Sequence, residues 1–218
     1  MRVRGRLQAL ALATTALPQG PGLVQAGSDL LRSKSLDDNS YDSGDWFNAV
    51  HWDCADGNGF GRGLPLAESN RDTWPLARPL LADPALVPGC RTIADTTDAY
   101  RRFLDIKRSS PLFSLTTRAD VQKGLTFPLS GTAGEIPGVI TQHLDGTGLR
   151  GAGRSVTVIC NATEQARSQP LTGLAGTRQG LHPAQRNGTD PTVKRSAYDP
   201  ATGTFAVPAH TVAVFVQR

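Results

Sequence analysis

Short β-prone stretches, separated by glycine- and proline-bearing turns, fill the chain after Pro111, and this punctuation is the strongest constraint on its fold. The stretches are Val121–Phe127, Gly138–Leu144, Ser155–Asn161, Arg178–His182, Val193–Tyr198 and Thr204–Val216. Several alternate in character, as in Val156-Thr157-Val158-Ile159 and Val212-Ala213-Val214-Phe215-Val216. Successive strand residues face opposite sides of a sheet, so short alternating runs between turn signals predict an all-β antiparallel sandwich. The 23 glycines and 15 prolines among 218 residues supply the turns such a fold needs.

The first half has a different texture. Residues 3–17 are rich in alanine and leucine and read as a helix stopped by Pro18 and Gly20. Taken alone they also fit a secretory leader, with basic Arg2, Arg4 and Arg6 ahead of a short apolar run. Leu23–Ala26 read as a short buried strand, and Thr92–Lys107 as a helix with Ile93, Tyr100, Phe103, Leu104 and Ile106 on its apolar positions. Between these lies an irregular stretch, 28–74, that holds all three tryptophans. A long structureless segment inside a compact chain is usually functional. The change in texture places a boundary near 108–112. Residues 1–110 are then one domain, incomplete and α/β in character, and 111–218 an all-β second one.

Charge and composition remove several function classes. No run approaches the ~18 apolar residues of a membrane span. The net charge of +4 comes from scattered arginines, without the basic stripe or groove-reading element of a nucleic-acid binder. Cys54, Cys90 and Cys160 form no CxxC and have no histidine pair nearby, so no zinc site is expected. Three buried thiols are the expectation, ahead of one disulfide with one cysteine left over. Gly146-Thr147-Gly148-Leu149-Arg150-Gly151 satisfies GxGxxG but precedes a strand, which suits a hairpin and not a phosphate loop. Asn161 and Asn187 head glycosylation sequons, and no G-x-S-x-G elbow is present. Neither a metal nor a cofactor is implied, and nothing indicates a compartment.

The most informative segment is Gly27–Asn48, GSDLLRSKSLDDNSYDSGDWFN. It places Arg32, Lys34, Asp37, Asp38, Asn39, Asp42, Asp45 and Asn48 beside Tyr41 and Trp46. Sugar hydroxyls need paired donors and acceptors, and the apolar face of a pyranose needs an aromatic plate. This composition meets both needs; it also fits a solvated loop with one anchoring tryptophan.

The strings Leu31-Arg32-Ser33-Lys34-Ser35 and Ser40-Tyr41-Asp42-Ser43-Gly44-Asp45-Trp46-Phe47-Asn48 closely resemble the pullulanase-type α-1,6-glucosidases, starch-debranching members of the α-amylase superfamily. The resemblance continues in order through Asn58-Gly59-Phe60-Gly61, Trp74-Pro75-Leu76, Ser109-Ser110-Pro111-Leu112-Phe113, Ile136–Ile140 and Thr204–Phe215. It implies an α+β architecture: the last helix–strand–helix part of a (β/α)8 barrel, followed by a C-terminal β-sandwich. Residues 3–17 would be the seventh barrel helix, which displaces the leader reading, and Gly22–Ala26 the eighth strand. Gly27–Asn48 would then border the cleft, since barrel active sites lie in the loops after the strands. Lys34 and Asp37 match loop positions that hydrogen-bond glucose units, and Asn39 stands where the family has Asp or Asn. Asp38 departs from the family's Arg. Asp45 and Trp46 are expected to fix the loop, with Trp46 buried.

Retaining glycoside hydrolysis needs a nucleophilic carboxylate and a carboxylic acid about 5–5.5 Å apart. The family carries these after the fourth and fifth strands, and a His-Asp pair after the seventh. None has a counterpart here: no histidine is followed by Asp, and Glu68, Glu135 and Glu164 lie in turn-like or post-barrel segments. The resemblance therefore implies a C-terminal piece of a debranching hydrolase, without catalytic residues of its own and inactive alone. It would meet an α-glucan only with the rest of the barrel, and Met1 need not be the native start. The other reading is a free-standing carbohydrate-binding or structural β-module.

Overall fold

The computed structural model describes residues 2–149 and 154–217. Helix α1 spans Arg2–Ala16, and α2 is a single turn at Asp45–Asn48. Then come α3 (Ala67–Asn70), α4 (Trp74–Ala82), α5 (Cys90–Ser109) and α6 (Arg118–Gly124). The strands are β1 (Leu125–Thr126), β2 (Val139–Asp145), β3 (Ser155–Asn161), β4 (Arg167–Pro170) and β5 (Gln179–Leu181). Helix α7 (Pro183–Arg186) precedes β6 (Ala197–Asp199), β7 (Thr204–Val207) and β8 (Thr211–Gln217). Contacts divide the chain into two compact units, Met1–Ala9 with Val24–Asp98, and Leu10–Leu23 with Ala99–Arg218. Helices α1 and α5 each supply residues to both.

The second unit carries two antiparallel sheets, ordered β1-β2-β3-β8-β5 and β4-β7-β6. Every residue of β3 is buried, because β3 is paired on both edges and covered on both faces. Its Ile159 faces Ala213 in register and shares a core with Phe215, Phe205 and Val207, drawn from both sheets. Phe205 stacks edge-on against Phe215 at 4.8 Å and tilts against Tyr198 at 4.6 Å. Such ring pairs add about 0.5–1.5 kcal/mol beyond the area they bury. Asn161, fully buried at the end of β3, donates to the carbonyls of Gln165, Val207 and Pro208 and accepts from Thr163. Its sequon is therefore structural; Asn187 is exposed.

Polar side chains finish what the backbone begins. After β5 the His182 amide still donates to the Val214 carbonyl. The buried Gln185 carboxamide then takes over, donating to Val212 O and accepting from Val214 N at 2.8 Å each. Gln185 acts as one further residue of strand along the β8 edge, so these groups stay satisfied. The segment after α1 is held similarly. Lys107 Nζ donates to the carbonyls of Pro18 (2.8 Å) and Gly20 (2.7 Å), and the Gln19 carboxamide bridges Leu112 O and Leu115 N.

Several expectations need correction. Leu23–Ala26 form no strand, and Leu23 is 88% exposed. A strand needs hydrogen-bonding neighbours, and none of the described residues pairs with this segment. Val121–Phe127 is mostly helix: Thr117 accepts from the Asp120 amide and donates to its carboxylate, an N-cap that starts α6 and leaves only a two-residue strand. Val193–Tyr198 opens with a helical turn. Thr204–Val216 is two strands, broken where Pro208 lacks an amide hydrogen and His210 takes φ +46°. The polar edge strand β4 was not anticipated, for only Gln169 of its four residues is buried. Arg150 and Gly151, the end of the GxGxxG string, lie outside the described residues.

His182 links two elements of this unit. Its Nδ1 accepts from the Ala184 amide at the start of α7 (3.1 Å), so the neutral ring carries its proton on Nε2, which donates to Ser109 Oγ (3.0 Å). Ser109 Oγ in turn donates to Ile106 O. Burial holds the imidazole below the ordinary histidine value, and the same cause acts on His143. An unfolded histidine binds its proton near pH 6.5. Between the two values the unfolded chain carries the extra proton. The stabilisation is thus complete above about pH 6.5 and is lost as pH falls toward the folded value. Urea unfolding followed by circular dichroism is expected to show a lower midpoint at pH 5.5 than at 7.5. His182→Asn keeps a side-chain cap without a titrating group and is expected to remove part of that difference.

Candidate functional site

The loop Gly27–Asn48 belongs to the first unit and contains no strand. Its backbone is unusual: Leu31, Ser35 and Leu36 all take positive φ, at +57°, +53° and +60°. Left-handed conformations at non-glycine residues cost of order 1–3 kcal/mol each and persist only where the surroundings dictate them. Here the dictating groups are identifiable. Asn58 is fully buried; its Nδ2 donates to Leu30 O (2.9 Å), its Oδ1 accepts from His51 N (3.3 Å) and its carbonyl accepts from Ser33 N (2.9 Å). To do this Asn58 itself sits at φ +54°, between Gly57 and Gly59, which are also left-handed. A Cβ at Gly57 would lie 2.4 Å from Val87 Cγ1, so only glycine fits.

The three residues expected to meet a sugar come together. Lys34 Nζ donates to Ser40 Oγ and to Asn48 Oδ1 (2.9 Å). Asp37 Oδ1 accepts from Asn70 Nδ2 (2.8 Å) and from the Asn39 amide (3.3 Å), while Oδ2 accepts from Ser43 Oγ. Burial alone would raise the Asp37 carboxyl. The hydrogen bonds from Ser43, Asn70 and the Asn39 amide, with the nearby Lys34 charge, outweigh it and hold the group below its usual value. Asn39 Oδ1 caps the helical turn Ser40–Asp42 by accepting from Tyr41 N (3.2 Å). Asp38 is exposed, and its amide donates to Asn70 Oδ1 (3.0 Å).

A second cluster closes the loop behind these residues. Arg62 donates to Asp56 Oδ2 (2.6 Å) and to the Trp46 carbonyl (3.0 Å), and His51 Nδ1 lies 3.2 Å from the same Asp56 oxygen. The Arg62 hydrogen bond is the main cause that keeps the Asp56 carboxyl low. The expected anchor is corrected: Trp46 is 48% exposed, and the buried ring is its neighbour Phe47, 4.0 Å away centroid to centroid. In the single turn α2 only one of two adjacent rings can face inward. Tyr41 is 92% and Trp52 79% exposed.

The cysteines also differ from expectation. Cys54 and Cys90 form a disulfide, and Cys160 remains a free thiol that burial pushes up to about 12. The bridge ties the end of the loop region to the first residue of α5, a pairing that a sequence separation of 36 conceals. No group of three metal-ligating side chains occurs among the described residues, and no described helix is long and apolar enough to cross a membrane. Sequence reading missed Asn58, Ser43 and Asn70 as organising groups; the only signal was an asparagine between two glycines at 57–59.

The family described as "Alpha-1,6-glucosidases, pullulanase-type, C-terminal" matches residues 55–218. The chain belongs to this family. Relatives extend the match across the loop. Pullulanase 1, chloroplastic, of Arabidopsis thaliana is 39% identical over 98% of this chain and 23% of its own length. Pullulanase of Klebsiella aerogenes is 35% identical over 97% of this chain and 19% of its own length. The pullulanase-type chain thus spans about a fifth of these relatives. Among solved structures, PulA from Klebsiella oxytoca superposes with TM-score 0.85 at 30% identity, covering 99% of this chain and 21% of that one. The maltotriose complex of PulA from Klebsiella pneumoniae superposes with TM-score 0.84 at 33% identity, covering 98% and 23%.

The disulfide has a measurable consequence. A cross-link over 36 residues lowers the entropy of the unfolded chain by an amount worth about 4 kcal/mol in the loop-closure relation. Cys54→Ser with Cys90→Ser, or reduction by dithiothreitol, is expected to lower the thermal midpoint of the first unit, followed by its tryptophan fluorescence. The same treatment is expected to leave the sheets' circular dichroism midpoint nearly unchanged.

Proposed function

We infer that this chain is the cleft-bordering end and C-terminal sandwich of a pullulanase-type debranching hydrolase acting on α-1,6 linkages of an α-glucan. On this reading residues 1–110 are the last barrel elements, 111–218 are the sandwich, and Lys34, Asp37 and Asn39 hold glucose units. The observation that carries it is the unspent hydrogen-bonding capacity at Lys34 and Asp37. An ammonium has three donors, and Lys34 uses two within the loop; a carboxylate has about four acceptor positions, and Asp37 uses three. One donor and one acceptor, on oppositely charged groups that interact, remain for a ligand. A pair of neighbouring sugar hydroxyls has the matching needs, and the match to a maltotriose complex of PulA supports that ligand class.

The same carboxylate is unsuited to chemistry. A general acid must keep its proton near neutral pH, which requires a raised pKa. Asp37, Asp56 and Asp145 are all held below the usual carboxylate value. On this reading Asp37 binds and orients sugar as a carboxylate and donates no proton to it. Purified chain is expected to release no reducing sugar from pullulan; measurable release would refute this. The resemblance ties full α-glucan binding to the rest of the barrel, but Lys34 and Asp37 are placed by this chain's own residues, so a weak site is expected to persist in it and maltotriose titration to move the amide NMR signals of Lys34–Asn39. Lys34→Ala or Asp37→Ala is expected to weaken that binding about tenfold or more, the usual weight of one hydrogen bond to a charged group. Unchanged affinity in both variants would remove the sugar-holding role.

A further inference from the structure

Asn70 lies outside the loop, at the end of α3, yet its carboxamide is spent almost wholly upon it. The residue is 1% exposed, so water does not compete for its hydrogen bonds. Its Oδ1 accepts from the Asp38 amide at 3.0 Å. Its Nδ2 donates to Asp37 Oδ1 at 2.8 Å and to Leu66 O at 3.0 Å. A carboxamide nitrogen has two hydrogens, and both are used. The Leu66 bond fixes the carboxamide to the turn before α3, and the Asp38 bond fixes the backbone next to Asp37. The remaining donor then meets one chosen oxygen of the Asp37 carboxylate.

We propose that Asn70 is a positioning residue for sugar binding: together with the Asn39 amide it saturates Asp37 Oδ1 and so leaves Oδ2, shared only with Ser43, as the oxygen that accepts from a sugar hydroxyl. The proposal rests on the reading that Asp37 holds glucose. A carboxylate free to rotate would present either oxygen and lose this orientation. Asn70 thereby sets which hydroxyl direction Asp37 can serve without touching the sugar itself. A residue that served only the fold would satisfy backbone groups; Asn70 also commits one donor to the side chain that binds. No signal in the sequence marks it, since 33 positions separate Asn70 from Asp37.

The full 218-residue chain, with maltotriose as probe, tests this. Three variants are compared with the unmodified protein: Asn70→Ala, Asn70→Asp, which keeps an acceptor for the Asp38 amide but loses the donor, and Asp37→Asn. Carboxyl-carbon NMR is expected to show the Asp37 titration midpoint shifted up by about one pH unit or more in Asn70→Asp, where a second carboxyl replaces a donor. Maltotriose affinity is expected to fall about tenfold in both Asn70 variants and to recover in neither. An unmoved Asp37 midpoint, or a moved midpoint with unchanged affinity, overturns the proposal. If Asp37→Asn binds maltotriose as the unmodified chain does, the sugar-holding reading falls and the proposal falls with it; loss in Asp37→Asn without loss in the Asn70 variants overturns the proposal alone. A measurement on the unmodified chain stands even if the variants fail to fold. The Asn70 side-chain amide protons should shift with the same midpoint as the Asp37 carboxyl, and a flat response there is equally fatal.

Discussion

The stretch 28–74 runs without a strand and must find partners for its backbone elsewhere, and here buried carboxamides supply them. The Asn58 carboxamide donates to Leu30 O and accepts from His51 N while its carbonyl accepts from Ser33 N, which pins the chain on either side of Leu31-Arg32, and the Asn70 carboxamide holds the backbone beside Asp37. Each amide satisfies groups that would otherwise be stranded away from water, at a cost of about 1–3 kcal/mol apiece. Leu31, Ser35 and Leu36 keep their left-handed backbone because these fixed points leave no alternative. Asp37 is placed by that scaffold together with Ser43 and the Asn39 amide, while Lys34 is held by Ser40 and Asn48.

Local chemistry and legibility went together. Helix α1 was readable because alanine and leucine favour helix throughout it and Pro18 ends it. Strand β3 was readable to the residue, because a fully buried central strand writes its β-branched run plainly. What stayed hidden depended on distance along the chain. The Cys54–Cys90 bridge, the Asn70 clamp on Asp37 and the Gln185 contact with β8 join positions from 27 to 36 residues apart, and no local pattern announces any of them. Leu23–Ala26 erred for a related reason: its composition suits a strand, but a strand exists only where something pairs with it.

The residues proposed to hold sugar were legible through resemblance more than through composition. Gly27–Asn48 alone was compatible with a solvated loop, and its many carboxylates gave no ranking among themselves. The structure separates them. Asp37 is ringed by Ser43, Asn70 and the Asn39 amide, whereas Asp38 and Asp45 are exposed. The anchor fell to Phe47 and not Trp46, a choice between neighbouring rings that depends on the phase of a single helical turn.

Strand β8 follows every other strand among the described residues yet occupies an inner place in the five-stranded sheet, between β3 and β5. During synthesis β2 and β3 can zip together as soon as both have left the ribosome. The β5 segment, although made earlier than β8, has no sheet to join until β8 arrives to bridge it to β3. Until then the backbone groups along that edge of β3 have no strand partner. A nonsense mutation just after Val207 would remove β8 and leave that edge open permanently.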